Sequence, residues 1–205
     1  MYDLTLNIET EQSISTFIPP GIHEDLRLAK PDGSYPIVYE RSKNGSEFIA
    51  FHVMNAEGLT HIHTEFIPTG DDSAVVLKKQ ANLSKRLLHI GKKFVDVSAF
   101  KQLKTESFEQ LAKSYISIIG DNYKGKLLRG KIVLNNKNFT TFPNYVPFLE
   151  SMTIPKDQSK LKMSDDDKVV KSKPDTTYSR PNPFVVEQTP QGIQVSMPDT
   201  EGLPF

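Results

Sequence analysis

The chain contains no cysteine among its 205 residues. That excludes a disulfide framework, a thiolate metal site and a cysteine nucleophile, and it fits a reducing compartment. Long apolar runs are missing as well, and nothing approaches the ~20 residues of a membrane-spanning helix. Apolar residues make up only 37% of the chain, so part of it is expected not to pack. The first residues, Met1-Tyr-Asp-Leu-Thr-Leu6, lack the basic-then-apolar order of a secretory signal. Together these absences lead to the expectation of a cytoplasmic protein. Phosphate-binding and nucleophile signatures are absent too: no Walker-A loop, no Gly-x-Gly-x-x-Gly, no Gly-x-Ser-x-Gly. The sequence reads as non-enzymatic, with no cofactor.

Charge is present but divided. The formal net charge is zero. Residues 1–70 hold four Lys/Arg against ten Asp/Glu, residues 71–140 fourteen against six, and residues 141–205 seven against nine. A basic block between acidic flanks can attract a polyanion, although a Lys-rich solvated helix gives the same count.

The first third has strand character. Pro31-Asp-Gly33 and Asn44-Gly45 are turn signals, because proline presets φ and glycine accepts positive φ. Leu59 to Ile67 alternates throughout. The period then changes: Leu83, Leu87, Ile90 and Phe94 recur at helical spacing. Ser107-Phe-Glu-Gln110 is a capping box opening a second helix, with Leu111, Tyr115, Ile118 and Ile119 on one stripe. Strand character returns over Lys126–Leu134 and near Phe148–Met152. Strands at 23–67, helices at 74–120 and strands at 126–152 predict a mainly β fold with an α insertion. An OB-like antiparallel barrel with a helical insertion fits that order, and a β-sandwich satisfies it too. Residues 1–154 are expected to form this domain. Residues 155–205, with six prolines beyond position 155 and few apolar runs, are expected to be a disordered linker and tip.

His61-x-His63-x-Glu65 puts three potential ligands on one side of a strand. No second ligand cluster accompanies them, so no metal is expected. They are read as the polar face of a half-buried strand, with Ile62, Thr64 and Phe66 on the other.

Nucleic-acid chemistry has more support. Single strands are held by cations that follow phosphates and by aromatic rings that stack on bases. Both occur interleaved here. Tyr35, Tyr39, Arg41 and Lys43 surround the Asn-Gly turn, and Lys85, Arg86, Lys92 and Lys93 punctuate the first helix. Tyr123, Lys124, Lys126, Arg129 and Lys131 lead into Phe139 and Tyr145. These fifteen residues are the candidate nucleic-acid contacts. Phe48, Phe51, Phe66 and Phe148 are assigned to the core.

The chain ends Met197-Pro-Asp-Thr-Glu-Gly-Leu-Pro-Phe205. This end resembles the acidic Pro-Phe tip of bacterial and bacteriophage single-stranded-DNA-binding proteins, with two acids where that family has a denser run. The resemblance implies an OB-fold core, a low-complexity linker and a tip that recruits replication or recombination proteins. Carried over residue by residue, the tip is Asp199, Glu201, Leu203, Pro204 and Phe205. The implied function is sequence-tolerant binding of single-stranded DNA in phage replication, recombination or repair, with no membrane involved, in the host cytoplasm if phage-encoded. The alternative is a virion or other assembly protein with a β-rich body.

Overall fold

A computed structural model describes residues 17–101, 103–135 and 139–167. All belong to the first of two units, residues 1–171; the second, residues 172–205, lies outside the described residues. The fold is mainly β: an antiparallel sheet of seven strands with two α-helices. Among the described residues, no helix is long and apolar enough to cross a membrane.

Four strands come first: β1 (Gly21–Leu28), β2 (Ile37–Arg41), β3 (Glu47–Met54) and β4 (Thr60–Phe66). Glycines at positive φ form the turns between them. Gly45 (φ 79°) and Gly58 (φ 83°) occupy a conformation that a Cβ disfavours. Strand β3 is central. Along one edge it pairs with β4 from Phe48 to Met54; along the other it pairs first with β2, then with the end of β1.

Strand β1 serves two ladders. Its end joins β3, and its beginning joins β5 (Leu128–Leu134). A register shift between His23 and Leu26 separates the two, with Asp25 at φ 55°. Such a bulge bends a strand and increases its twist, which lets one strand turn from one ladder to the next. Short strands β6 (Thr140–Thr141) and β7 (Leu149–Ser151) pair with the far edge of β5. No described backbone pairing joins β6 to β4, so the hydrogen-bonded sheet is open. At that gap Thr140 Oγ1 lies 3.4 Å from His61 Nδ1.

Between β4 and β5 stand α1 (Ser73–Gly91) and α2 (Phe108–Ile119). The Asp72 side chain caps α1 by accepting from the Ala74 and Val75 N–H groups. Ser107 caps α2 by accepting from the Gln110 N–H, and Gln110 Oε1 accepts in turn from the Glu106 N–H. The expected stripe Leu83, Leu87, Ile90 and Phe94 is buried. It meets Leu26, Ile37, Ile49, Phe51, Tyr115 and Ile132 in one core.

Order extends past the expected boundary at 154. Leu161 is buried, and Glu150 accepts hydrogen bonds from Ser159 Oγ and the Lys160 N–H. Residues 155–167 therefore pack with the body. Their few apolar and polar anchors gave no periodic signal, which is why the sequence reads as a linker there.

Gly91 ends α1 where Phe100 crosses it: a Cβ there would stand 2.5 Å from Phe100 Cζ. Helix propensity alone predicts that Gly91→Ala stabilises, by up to about 1 kcal/mol. The crowding predicts the opposite sign, a loss of about 1–3 kcal/mol. The urea midpoint of the variant decides between them.

Candidate nucleic-acid interface

The fifteen sequence candidates separate into three groups. Arg86, Arg129 and Lys131, expected to meet phosphates, are buried. Arg86 donates from Nε to Glu65 Oε1 (2.7 Å), approaches His63 Nε2 with Nη2 (3.1 Å) and bonds the Pro143 carbonyl. Its guanidinium lies 4.9 Å from the Phe148 ring centroid. Arg129 donates to Glu24 (3.1 Å) and the Ile154 carbonyl (3.3 Å) and stands 3.7 Å from Glu150. Lys131 donates to the Lys162 carbonyl and Tyr145 Oη, and pairs with Asp167 at 2.6 Å. The cause is the burial of β5: Leu128 to Val133 are all buried, so both faces of the strand are covered. A buried cation needs a carboxylate beside it, and each of these three has at least one, Arg129 having two.

The tyrosines near β2 form the second group. Tyr35 donates to the Gly120 carbonyl (2.8 Å) and meets Tyr123 edge-on at 5.4 Å. Tyr39 packs against Phe108 at 6.3 Å. All three rings are partly buried and fasten α2 and its end to the sheet. They are not free stacking platforms.

The third group remains at the surface. Arg41 pairs with Glu47 and Glu109, and Lys124 with Asp121. Exposed pairs of this kind contribute little and open easily. Lys43, Lys85, Lys92 and Lys126 are exposed, and Lys93 is half-buried. Phe139 and Tyr145 are 66% and 51% exposed. The tip residues Asp199, Glu201, Leu203, Pro204 and Phe205 lie outside the described residues.

Sequence reasoning missed the face that the sheet does expose. On β4 the expected faces are inverted. His61, His63 and Glu65 point into the core, while Ile62 and Phe66 are 49% and 51% exposed. Phe66 pairs with Phe48 across the ladder, ring centroids 5.1 Å apart, and Ile62 lies opposite His52. Arg27, at the end of the same face, reaches Met54 Sδ. Alternation in the sequence marks two faces without saying which is covered. The hidden signal was Arg86: a basic residue on the apolar stripe of a helix calls for an acid opposite it.

That inward cluster is polar and tightly placed. Burial opposes ionisation of Glu65, but the hydrogen bond from His63 and the charges of His63 and Arg86 outweigh it, and its pKa is lowered. Burial, with the charges of His63 and His23, pushes His61 down to about 3. On α1, His89 Nε2 accepts from the Phe148 and Leu149 N–H groups, which requires a neutral ring. Burial and the nearby Lys93, Lys92 and Arg86 charges hold it at about 4. Among the described residues, His61 Nε2 and His63 Nδ1 have no hydrogen-bond partner. Among the described residues, no group of three or more His, Asp or Glu side chains is placed to hold a metal.

A scan against protein-family models finds no match for this chain, and a search of the curated proteins finds no relative.

Two outcomes follow from the buried charges. Arg86→Ala leaves Glu65 buried without its cation and should cost about 3–5 kcal/mol, read as a lowered melting temperature. For pH, His61 and His89 have folded pKa values of about 3 and about 4 against an ordinary 6.5. Between those limits the unfolded chain binds protons that the folded chain excludes. Stability is therefore complete above pH ~6.5 and falls as the pH drops toward 4, by on the order of a few kcal/mol. His61→Phe should flatten this fall in urea titrations at pH 4–7; an unchanged slope would contradict the assignment.

Proposed function

We propose that this protein binds single-stranded DNA with little sequence preference. Bases stack on the outer β3–β4 face, at Phe48, Phe66 and Ile62, and on exposed Phe139 and Tyr145. Phosphates meet surface cations such as Lys43, Lys85, Lys92, Lys93 and Lys126. The observation that carries the reading is the Phe48–Phe66 ring pair on the outer face of an antiparallel sheet, Phe66 exposed and Phe48 half-buried. A stacked ring contributes about 1–3 kcal/mol per base whatever the base, which gives affinity without readout of sequence.

We read the open sheet as OB-like. Three features support this: the bulged β1 shared by two ladders, the helices between β4 and β5, and the approach of Thr140 to His61 across the gap. In OB-folds the ligand lies on an outer sheet face and on flanking loops. Such a role belongs to replication, recombination or repair, in the cytoplasm, with the C-terminal tip Asp199–Phe205 recruiting partner proteins.

The same apolar face favours one other reading, an assembly module in which Ile62 and Phe66 meet another subunit. Fluorescence anisotropy separates the two. Labelled oligo-dT should bind at low salt and more tightly than the matching duplex, with affinity falling as salt rises. Phe48→Ala and Phe66→Ala should each weaken it by about 1–3 kcal/mol. No binding, or preference for duplex, overturns the reading; a salt-insensitive oligomer dispersed by Phe66→Glu would establish the rival.

A further inference from the structure

A groove of about 540 Å³ opens beside the C-terminal end of α1, outside the β3–β4 face described above. Lys92, Lys93 and Lys160 line it, together with the apolar Val146, Pro147 and Ile154. None of the three lysines has an ion-pair partner among the described residues. The dipole at a helix C-terminus stabilises a nearby cation, which accounts for a lysine at position 92. It does not account for three cations converging on one space.

One carboxylate, Glu150, also lines the groove. Its oxygens are already engaged, by Ser159 Oγ at 2.8 Å and the Lys160 N–H at 2.7 Å, and Arg129 stands 3.7 Å away. Arg129 shares its charge between Glu24 at 3.1 Å and Glu150, so this one carboxylate compensates the three lysines only in part. Lys93 is half-buried, and burial together with the Lys92 charge lowers its pKa, Glu150 offsetting part of this. A cation kept partly out of water beside another gains from an anion placed between them.

Charge and apolar wall together define the ligand. A lone small anion has no use for Val146, Pro147 and Ile154, and an apolar ligand has none for three lysines. We infer that this groove binds one nucleotide unit, its phosphate held by Lys92, Lys93 and Lys160 and its base or sugar against Val146, Pro147 and Ile154. Its volume falls in the range of small-ligand sites. Taken as part of the strand's path, this inference rests on the single-strand reading above. It gives that path a discrete anchor at the end of α1, separate from the stacking face.

The test uses the full chain and two variants, Lys93→Gln and the triple Lys92→Gln, Lys93→Gln, Lys160→Gln, each checked for an unchanged far-ultraviolet spectrum and melting. Calorimetric or nuclear magnetic resonance titration with thymidine monophosphate, inorganic pyrophosphate and thymidine supplies the first arm. Thymidine monophosphate should bind more tightly than pyrophosphate, thymidine should not bind detectably, and the triple variant should bind the monophosphate at least tenfold more weakly. The second arm is the salt dependence of oligo-dT binding, whose log–log slope should fall by about 0.7 in the triple variant for the one phosphate released. Equal binding of the monophosphate by wild type and triple variant, or none by either, overturns the inference. If that happens while oligo-dT still binds wild type, the groove is wrong and the single-strand reading stands. If oligo-dT does not bind, the single-strand reading fails, and the monophosphate arm still decides the groove.

Discussion

Arg86 is the residue on which the arrangement turns. It projects from α1 and bonds Glu65 on β4, approaches His63 beside it, bonds the Pro143 carbonyl and covers the Phe148 ring. One side chain thus connects the helical insertion, the first group of strands and the segment that follows β6. Buried ion pairs add little net stability, because removing two ions from water costs about what their attraction returns. What they exclude is any arrangement that leaves one ion alone. With Arg86 in place, Glu65 and His63 must face inward.

The exposed face follows from that constraint. Strand residues alternate sides, so turning His61, His63 and Glu65 inward turns Ile62 and Phe66 outward. The polar groups meet partners inside, and the apolar groups meet solvent. This reverses the usual alternation, and it leaves on the surface the exposed Phe66 ring beside a half-buried Phe48, a patch suited to planar, apolar partners. Arg129 and Lys131 repeat the logic on β5, where Glu24, Glu150 and Asp167 receive them. The basic middle of the chain is therefore less available to a polyanion than its count implies. Part of its charge holds the protein together, and the other described cations lie on turns and on the two helices.

Much of the framework was legible. The turns at Asn44-Gly45 and Pro31-Asp-Gly33, the stripe Leu83–Leu87–Ile90–Phe94 and the Ser107 cap are local features, set by φ preferences and side-chain reach within a few residues. Tyr35, Tyr39 and Tyr123 were legible as aromatic but not as occupied, since the carbonyl that Tyr35 reaches is Gly120, 85 residues away. Residues 155–167 were illegible for a related reason. Their order depends on single polar contacts, to Glu150, 9 and 10 residues upstream, and to Lys131, 31 residues before Lys162, which carry no periodic signature.

By itself the sequence determined the class of fold, the order of strands and helices, the turn positions and the apolar stripe of α1. Each of these depends on period and local conformation, which neighbouring residues control. Only the tertiary structure decided which face of β4 is covered, which cations are paired inside and which three lysines share a groove. Those depend on long-range partners, and a charged residue reads the same in sequence whether water or a buried carboxylate surrounds it.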